Sequence, residues 1–377
     1  MQQEDKVSTI YKIAISMTKG VNSDVVNRIH ESGLSLKDFF EIDSTSLCDA
    51  LSLPRNKLIQ KSTREEALLK AHHEYDFICK HGIKTLYLGD RDTYPYRLAE
   101  CHDAPTMLYM LGNANLNCDK IFSLVGTRKA TPYGANFCKT IIKDLKDRLM
   151  DFTVVSGLAY GIDVFAHTAC LDEKLPTVAV LAHGLNMIYP SAHRSIAETI
   201  IKSGGALVTE YNSQQKPHRS NFLERNRIVA GLCDATIVVE SDIKGGAMST
   251  AQLAFGYNRE VMAVPGRITD QMSHGCNHLI RRNKAYLIES AADIMEIMNW
   301  SIPDIKIDAR QRCFFPDMTI EEELIYNFIS KSQNEVSIDE IHKHLGTPIH
   351  QLMPTLMDME FNGIIIKYPG NRYGLSI

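Results

Sequence analysis

From about residue 120 to residue 290 the chain repeats one unit: a short apolar run ending at a glycine or a polar residue, then a stretch with helical spacing. The runs are IFSLVG, FTVVSG, TVAVLAHG, GALVTE, ATIVVE, EVMAVPG and AYLIE. Runs this uniformly apolar are strands covered on both faces, and a helix after each one brings the chain back to start the next strand in the same direction. The pattern therefore predicts an α/β fold, a Rossmann-like, doubly wound, mostly parallel sheet.

The flanks read differently. Residues 1–75 carry helical periodicity with short polar breaks, as in VVNRIHESG and SLKDFFEI, and predict a small helical domain. Residues 76–119 form a bridging segment in which GIKTLYLGDRDTYPYRL and PTMLYMLGN supply short strands interrupted by Asp, Pro and Gly; it is grouped with the sheet as one domain over 76–300. Residues 301–318, SIPDIKIDARQRCFFPDM, have no period and two prolines and are expected to be a linker. Residues 319–377 give three helical runs and then IIIKYPGNRYGLSI, a hairpin around Pro-Gly-Asn, which together predict a C-terminal winged helix.

Composition narrows the function. With 41 Lys and Arg against 45 Asp and Glu the formal net charge is -4, so any nucleic-acid site has to be a local patch. Nine cysteines without a CxxC pair argue against a disulfide framework or a zinc ribbon and for reduced thiols. The start MQQEDKVSTIYK is acidic and polar, and no stretch approaches 18 uninterrupted apolar residues, so a cytoplasmic protein with no membrane span is expected, holding neither metal nor cofactor.

In such a sheet, ligands bind where the strands end. After the first strand stand Gly126, Thr127, Arg128 and Lys129, with Thr131 as an N-cap and Pro132 opening a helix, so that bare amides and an arginine fork offer an anion site. After the second come Ser156 and Gly157, then Asp163 and His167 four residues apart, either an acid–base pair or a cap and a core histidine. The fourth leads to PHRSNFLERNR, where Arg219, Arg225 and Arg227 join Asn221, Phe222 and Asn226 to set phosphate charge beside an aromatic face, unless the arginines pair with Glu210, Glu224 or Glu240. After the fifth, Gly245 and Gly246 open a helix and let amides approach a phosphate. Arg267 and the pair Arg281–Arg282 either extend this patch or are solvated charges.

The blocks VGTRKATPYG, SGLAYGIDVFAH, TVAVLAHGLNMIYP, GGALVTEY, FLERNRIVAGL, IVVES, GGAMSTAQLA and EVMAVPG, in this order, resemble the DNA-processing protein A family (DprA, also called Smf). The resemblance implies a domain that binds single-stranded DNA, homodimerises, and loads RecA recombinase onto strands coated by single-strand-binding protein, in natural transformation and recombination, without catalysis. It also implies that Arg128 grips a phosphate and that Arg219, Phe222, Arg225 and Arg227 line the same pocket; Arg219 stands where relatives often carry a lysine. The N-terminal segment is similar to the sterile-alpha-motif-like or helix-hairpin-helix-like domain of longer members.

Two other readings compete. Nucleotide-hydrolysing enzymes of the phosphoribohydrolase type carry a PGGxGTxxE turn, but here Met248 and Gln252 replace the last glycine and the glutamate, and an amide transfers no proton. A nucleotide-sensing regulator would touch duplex DNA through its winged helix, yet PIHQLMPTLMDMEFNG carries only acidic charges, unsuited to reading a polyanion and better suited to protein contact.

Overall fold

The computed structural model describes residues 2–54, 59–149, 151–300, 318–332 and 335–376. Five helices come first: α1 (Gln2–Met17), α2 (Ser23–Ser32), α3 (Leu36–Glu41), α4 (Ser44–Ala50) and α5 (Lys61–His81). Local chemistry sets their ends, since Asn22 accepts from the Val25 amide, Asp43 from those of Thr45 and Ser46, and Gly33 and Gly82 close α2 and α5 in the left-handed conformation. The bridging segment gives β1 (Lys84–Tyr87), α6 (Tyr96–Ala99) and β2 (Met107–Gly112).

The repeat then delivers β3 (Ile121–Val125), α7 (Pro132–Arg148), β4 (Thr153–Ser156), α8 (Ile162–Asp172), β5 (Thr177–Val180), α9 (Arg194–Lys202) and β6 (Ala206–Thr209). It continues with α10 (Arg219–Gly231), β7 (Ala235–Val238), α11 (Gly246–Gly256), β8 (Glu260–Ala263), α12 (His274–Arg281), β9 (Tyr286–Leu287) and α13 (Ala291–Ile297), so each apolar run of the sequence is a strand. All nine strands form one sheet in the order β1-β2-β6-β5-β4-β3-β7-β8-β9. Neighbours from β6 to β9 are parallel, while β2 runs antiparallel to β6 and β1 to β2. Strand order reverses between β3 and β7, and this switch point leaves a crevice at the carboxyl ends of the strands, here termed the upper rim.

Successive side chains of each strand enter different cores, as the two-residue period requires. Phe122 and Leu124 of β3 pack with Ile141 of α7, Ala166 of α8 and Ile294 of α13, whereas Ile121 and Val125 join Ile228 of α10, Ala251 of α11 and Leu279 of α12. That second core continues without a break into Ile13 and Ile78 of the N-terminal helices.

Beyond residue 318, α14 (Ile320–Ser330), β10 (Val336–Ser337), α15 (Ile338–Leu345), α16 (Ile349–Phe361), β11 (Ile365–Tyr368) and β12 (Arg372–Leu375) supply three helices and a hairpin around a separate core. The short β10 adds a strand, giving an antiparallel sheet of order β10-β12-β11. Capping boxes at Thr319–Glu322 and Ser337–Glu340 start α14 and α15. The linker expected over 301–318 lies, save its last residue, outside the described residues. The hairpin rests on the lower rim, where the parallel strands begin. There the Gly370 amide donates to the Asn258 carbonyl at 2.9 Å, and the Glu100 carboxylate lies 2.5 Å from Arg372 and 2.8 Å from Arg259. Among the described residues the cysteines are free, and no helix is long and apolar enough to cross a membrane.

Candidate nucleic-acid interface

The turn after β3 is clasped from three sides. The Thr127 amide donates to the Glu240 carbonyl at 2.7 Å, and the Thr127 carbonyl accepts from the Ile162 amide at 3.2 Å. Gly161, with φ +78°, passes so close to that same carbonyl that a Cβ would collide with it, and a Cβ on Gly126 would strike Ile162. Held this way, the turn presents Arg128 and Lys129 to solvent, with the Lys129 amide donating to the Thr127 hydroxyl at 3.1 Å.

The anion expected at the mouth of α7 is the protein's own. Glu240, 2% exposed, accepts from the Thr131 amide at 2.8 Å and from its hydroxyl at 2.5 Å, and Gly134 has no room for a Cβ because this carboxylate is there. Thr131 therefore makes no side-chain cap, and Arg128 and Lys129 act above a helix start that is already filled. Along the same rim α8 carries Asp163 in its first turn and α10 is capped by the His218 ring. The start of α11 has no side-chain acceptor: Gly246 faces open space, and Gly245 packs so tightly on the Ser241 hydroxyl that only glycine fits. An external phosphate thus finds bare amides at α11 rather than at α7.

The arginines of α10 divide. Arg225 is 4% exposed, and its Nη1 donates to the carbonyls of Gly157, at 2.7 Å, and Val180. Gly157 is glycine because the guanidinium occupies the space of a Cβ, and Ser156, also buried, gives its hydroxyl proton to the Leu124 carbonyl at 2.6 Å. Arg227 pairs with Glu210 and donates to the Asp103 carbonyl, so the ion pair allowed for in the sequence reading is real for this residue. Both side chains are engaged by internal carbonyls and, for Arg227, by a carboxylate, rather than facing solvent as a phosphate pocket would have them. Asn221 is buried and braces the Ala182 carbonyl at 3.2 Å, while Asn226 reaches the Gly246 carbonyl at 3.5 Å and ties α10 to the start of α11.

Arg128, Lys129, Arg219, Lys244 and Arg267 are exposed, all on the upper rim. Arg128 lies over the Phe222 ring at 5.3 Å, and Tyr189 packs against the same ring at 5.8 Å. One face of Phe222 is therefore taken by a guanidinium, and the more open ring is that of Tyr189, 48% exposed. Tyr189 is absent from the expected site, although an aromatic before a proline in the loop after β5 is an available signal for it; Glu240, expected only as an ion-pair partner for the arginines of α10, is instead the internal anion at the mouth of α7. Arg281 and Arg282 end α12 and precede β9, which places them at the lower rim, so they do not extend this patch.

Asp163 and His167 are not an acid–base pair. The Thr177 hydroxyl donates to the Val154 carbonyl at 2.8 Å and so accepts from His167 Nδ1–H, also at 2.8 Å, leaving a fully buried ring whose Nε2 has no partner. Burial, followed by the nearby charge of Arg225, pushes its pKa down to about 3. Burial likewise pushes the Asp163 carboxyl up, against the pull of Arg225, which supplies its counter-charge. Among the described residues no group of three or more His, Cys, Asp or Glu is arranged to hold a metal.

Residues 85–299 match the family described as DNA recombination-mediator protein A. The putative DNA processing protein DprA of Mycobacterium tuberculosis is 34% identical over 322 residues, covering 82% of this chain and 81% of that one. The crystal structure of DNA processing protein A from Streptococcus pneumoniae superposes with a TM-score of 0.64 at 30% identity, over 76% of this chain and 97% of that one. The DNA processing protein A of Helicobacter pylori, whose structure describes a single-stranded DNA binding mode, matches with a TM-score of 0.51 at 28% identity, over 58% and 96%. This chain belongs to the DNA recombination-mediator protein A family, the DprA/Smf DNA-processing proteins.

Proposed function

We propose that the upper rim binds single-stranded DNA through its phosphates, without reading sequence, and that the chain passes the strand to RecA recombinase. The observation that carries this reading is the exposed Arg128 guanidinium, set over Phe222 beside Tyr189, on the same rim as the uncapped start of α11. Guanidinium and bare amides suit phosphate, and aromatic faces suit unstacked bases of any identity. The Helicobacter pylori relative's single-stranded DNA binding mode supports the ligand class, and the recombination-mediator family supports the hand-over. A homodimer, and displacement of single-strand-binding protein, belong to the same proposal. Hydrolysis is not favoured, because the exposed Gln252 stands on α11 where a hydrolase of this shape needs a carboxylate.

The test is a salt-dependent titration of the full chain with a homopolymer deoxyoligonucleotide. Arg128→Ala weakens binding uniformly across homopolymers and lowers the salt slope by about one unit. An unchanged slope and affinity sinks the proposal.

A further inference from the structure

We propose that the cleft between the C-terminal hairpin and the lower rim of the sheet is a second ligand site, built for a nucleoside phosphate. The cleft has a volume of 470 Å³, within the roughly 300–1,000 Å³ of small-ligand sites. Its sheet wall carries Arg259, Lys284 and Tyr286, and its hairpin wall Lys367 and Tyr368.

The charge around it is lopsided. Glu100 is shared between Arg259 and Arg372, one carboxylate for two guanidinium groups. Arg259 is 3% exposed, yet its Nε and Nη1 have no acceptor, and neither has Arg372 Nε. A buried unpaired donor is unfavourable, and more so when it is charged, so such groups call for a polar or ionic partner. Lys284 and Lys367 add two exposed cations at the mouth, and the only carboxylate lining the cleft is Glu260, whose acidity burial weakens against the pull of Lys367.

Compensation of helix dipoles does not account for this set. Lys284 follows the end of α12 and answers that dipole, but Lys367 is on a strand. Arg259 follows α11, yet its Nη2 goes to the Arg97 carbonyl and Glu100 rather than to the carbonyls of that helix. A phosphate held by Lys284 and Lys367, with the unpaired charge of Arg259 buried in the wall beneath it, balances the charge, and the rings of Tyr286 and Tyr368 offer a base flat faces. Because the cleft draws on both the sheet and the hairpin, its occupant clamps the C-terminal unit in place. The site stands apart from the upper rim, at the opposite ends of the same strands, and does not depend on the DNA-binding reading.

The experiment is calorimetric titration of the full chain with adenosine 5′-monophosphate, inorganic phosphate and adenosine. Adenosine 5′-monophosphate is expected to bind tightest and adenosine weakest. The double variant Lys284→Ala, Lys367→Ala is expected to weaken the nucleotide about tenfold while leaving single-stranded DNA affinity unchanged, and Arg128→Ala to show the reverse. Competition by a 5′-phosphorylated but not a 5′-hydroxyl oligothymidine assigns the phosphate to a strand end, and competition by neither assigns it to a free nucleotide. No binding at millimolar concentration, equal binding of nucleotide and nucleoside, competition by both oligomers, or loss of the nucleotide in Arg128→Ala alone overturns the proposal.

Discussion

At the lower rim of the sheet Arg97, Arg259 and Arg372 are buried against Asp234 and Glu100, whereas at the upper rim Arg128 and Arg219 stand in water and, among the described residues, pair with no carboxylate. The same side chain thus does two jobs. Below, the guanidinium cross-links segments far apart in sequence: Arg97 joins the bridging segment to Asp234 before β7 at 2.5 Å, and Arg372 joins the hairpin to Glu100. Above, it stays in water, its charge paired with no carboxylate among the described residues. Arg225 shows that address alone does not decide the job, because it lies at the upper rim but is built like a lower-rim arginine, dehydrated and engaged by carbonyls. Burial is the discriminant, since an arginine that has already lost its water and found acceptors has little left for a phosphate.

The harshest challenge to this contrast is Arg225→Ala. It strips Gly157 and Val180 of their donor and Asp163 of its counter-charge, and is expected to cost about 3–5 kcal/mol in denaturant unfolding. A variant that stays stable and merely loses DNA would move Arg225 into the binding set. The second test concerns the buried histidine beneath the rim. Folded His167 stays neutral down to about pH 3 while the unfolded residue takes a proton below about 6.5, so stability falls as pH drops through that window, by about 2 kcal/mol at pH 5. In His167→Gln this slope should flatten, as read by urea midpoints against pH; a parallel profile contradicts the assignment. Third, Tyr189→Ala should weaken single-stranded DNA by about 1–3 kcal/mol, with the loss disappearing on an abasic strand, where no base is present to stack. An equal loss on both strands makes the residue a scaffold. The smallest effect belongs to Arg219→Lys, expected to alter affinity about twofold or less because counterion release counts charges; a larger change points to a bidentate grip.

The period of the apolar runs made the sheet readable, since six buried strands and an exposed edge strand with intervening helices have few other ways to pack. The site was readable only as a neighbourhood. Arg128 and Phe222 are far apart in the chain and touch in space because the loops after β3 and β6 meet on one rim, which strand-end logic anticipates. That logic does not say which polar groups have internal partners. Thr131 looks like a cap and is not one, because Glu240, 109 residues further on, takes its place. Arg227 and Glu210 are likewise close only after folding, and a loop rich in arginine reads the same whether its charges face water or one another.

The carboxylate of Glu240 has a consequence for how a strand is held. Under the proposed binding mode, a carboxylate lodged just behind the turn that carries Arg128 repels any phosphate that sinks past it, which would keep the polymer at the lip of the crevice with its backbone hydrated on the outer side. A thread gripped at the lip need not be fed in by an end: it can be laid on from the middle of a gap and lifted away the same way, which is what a carrier needs and a nuclease does not.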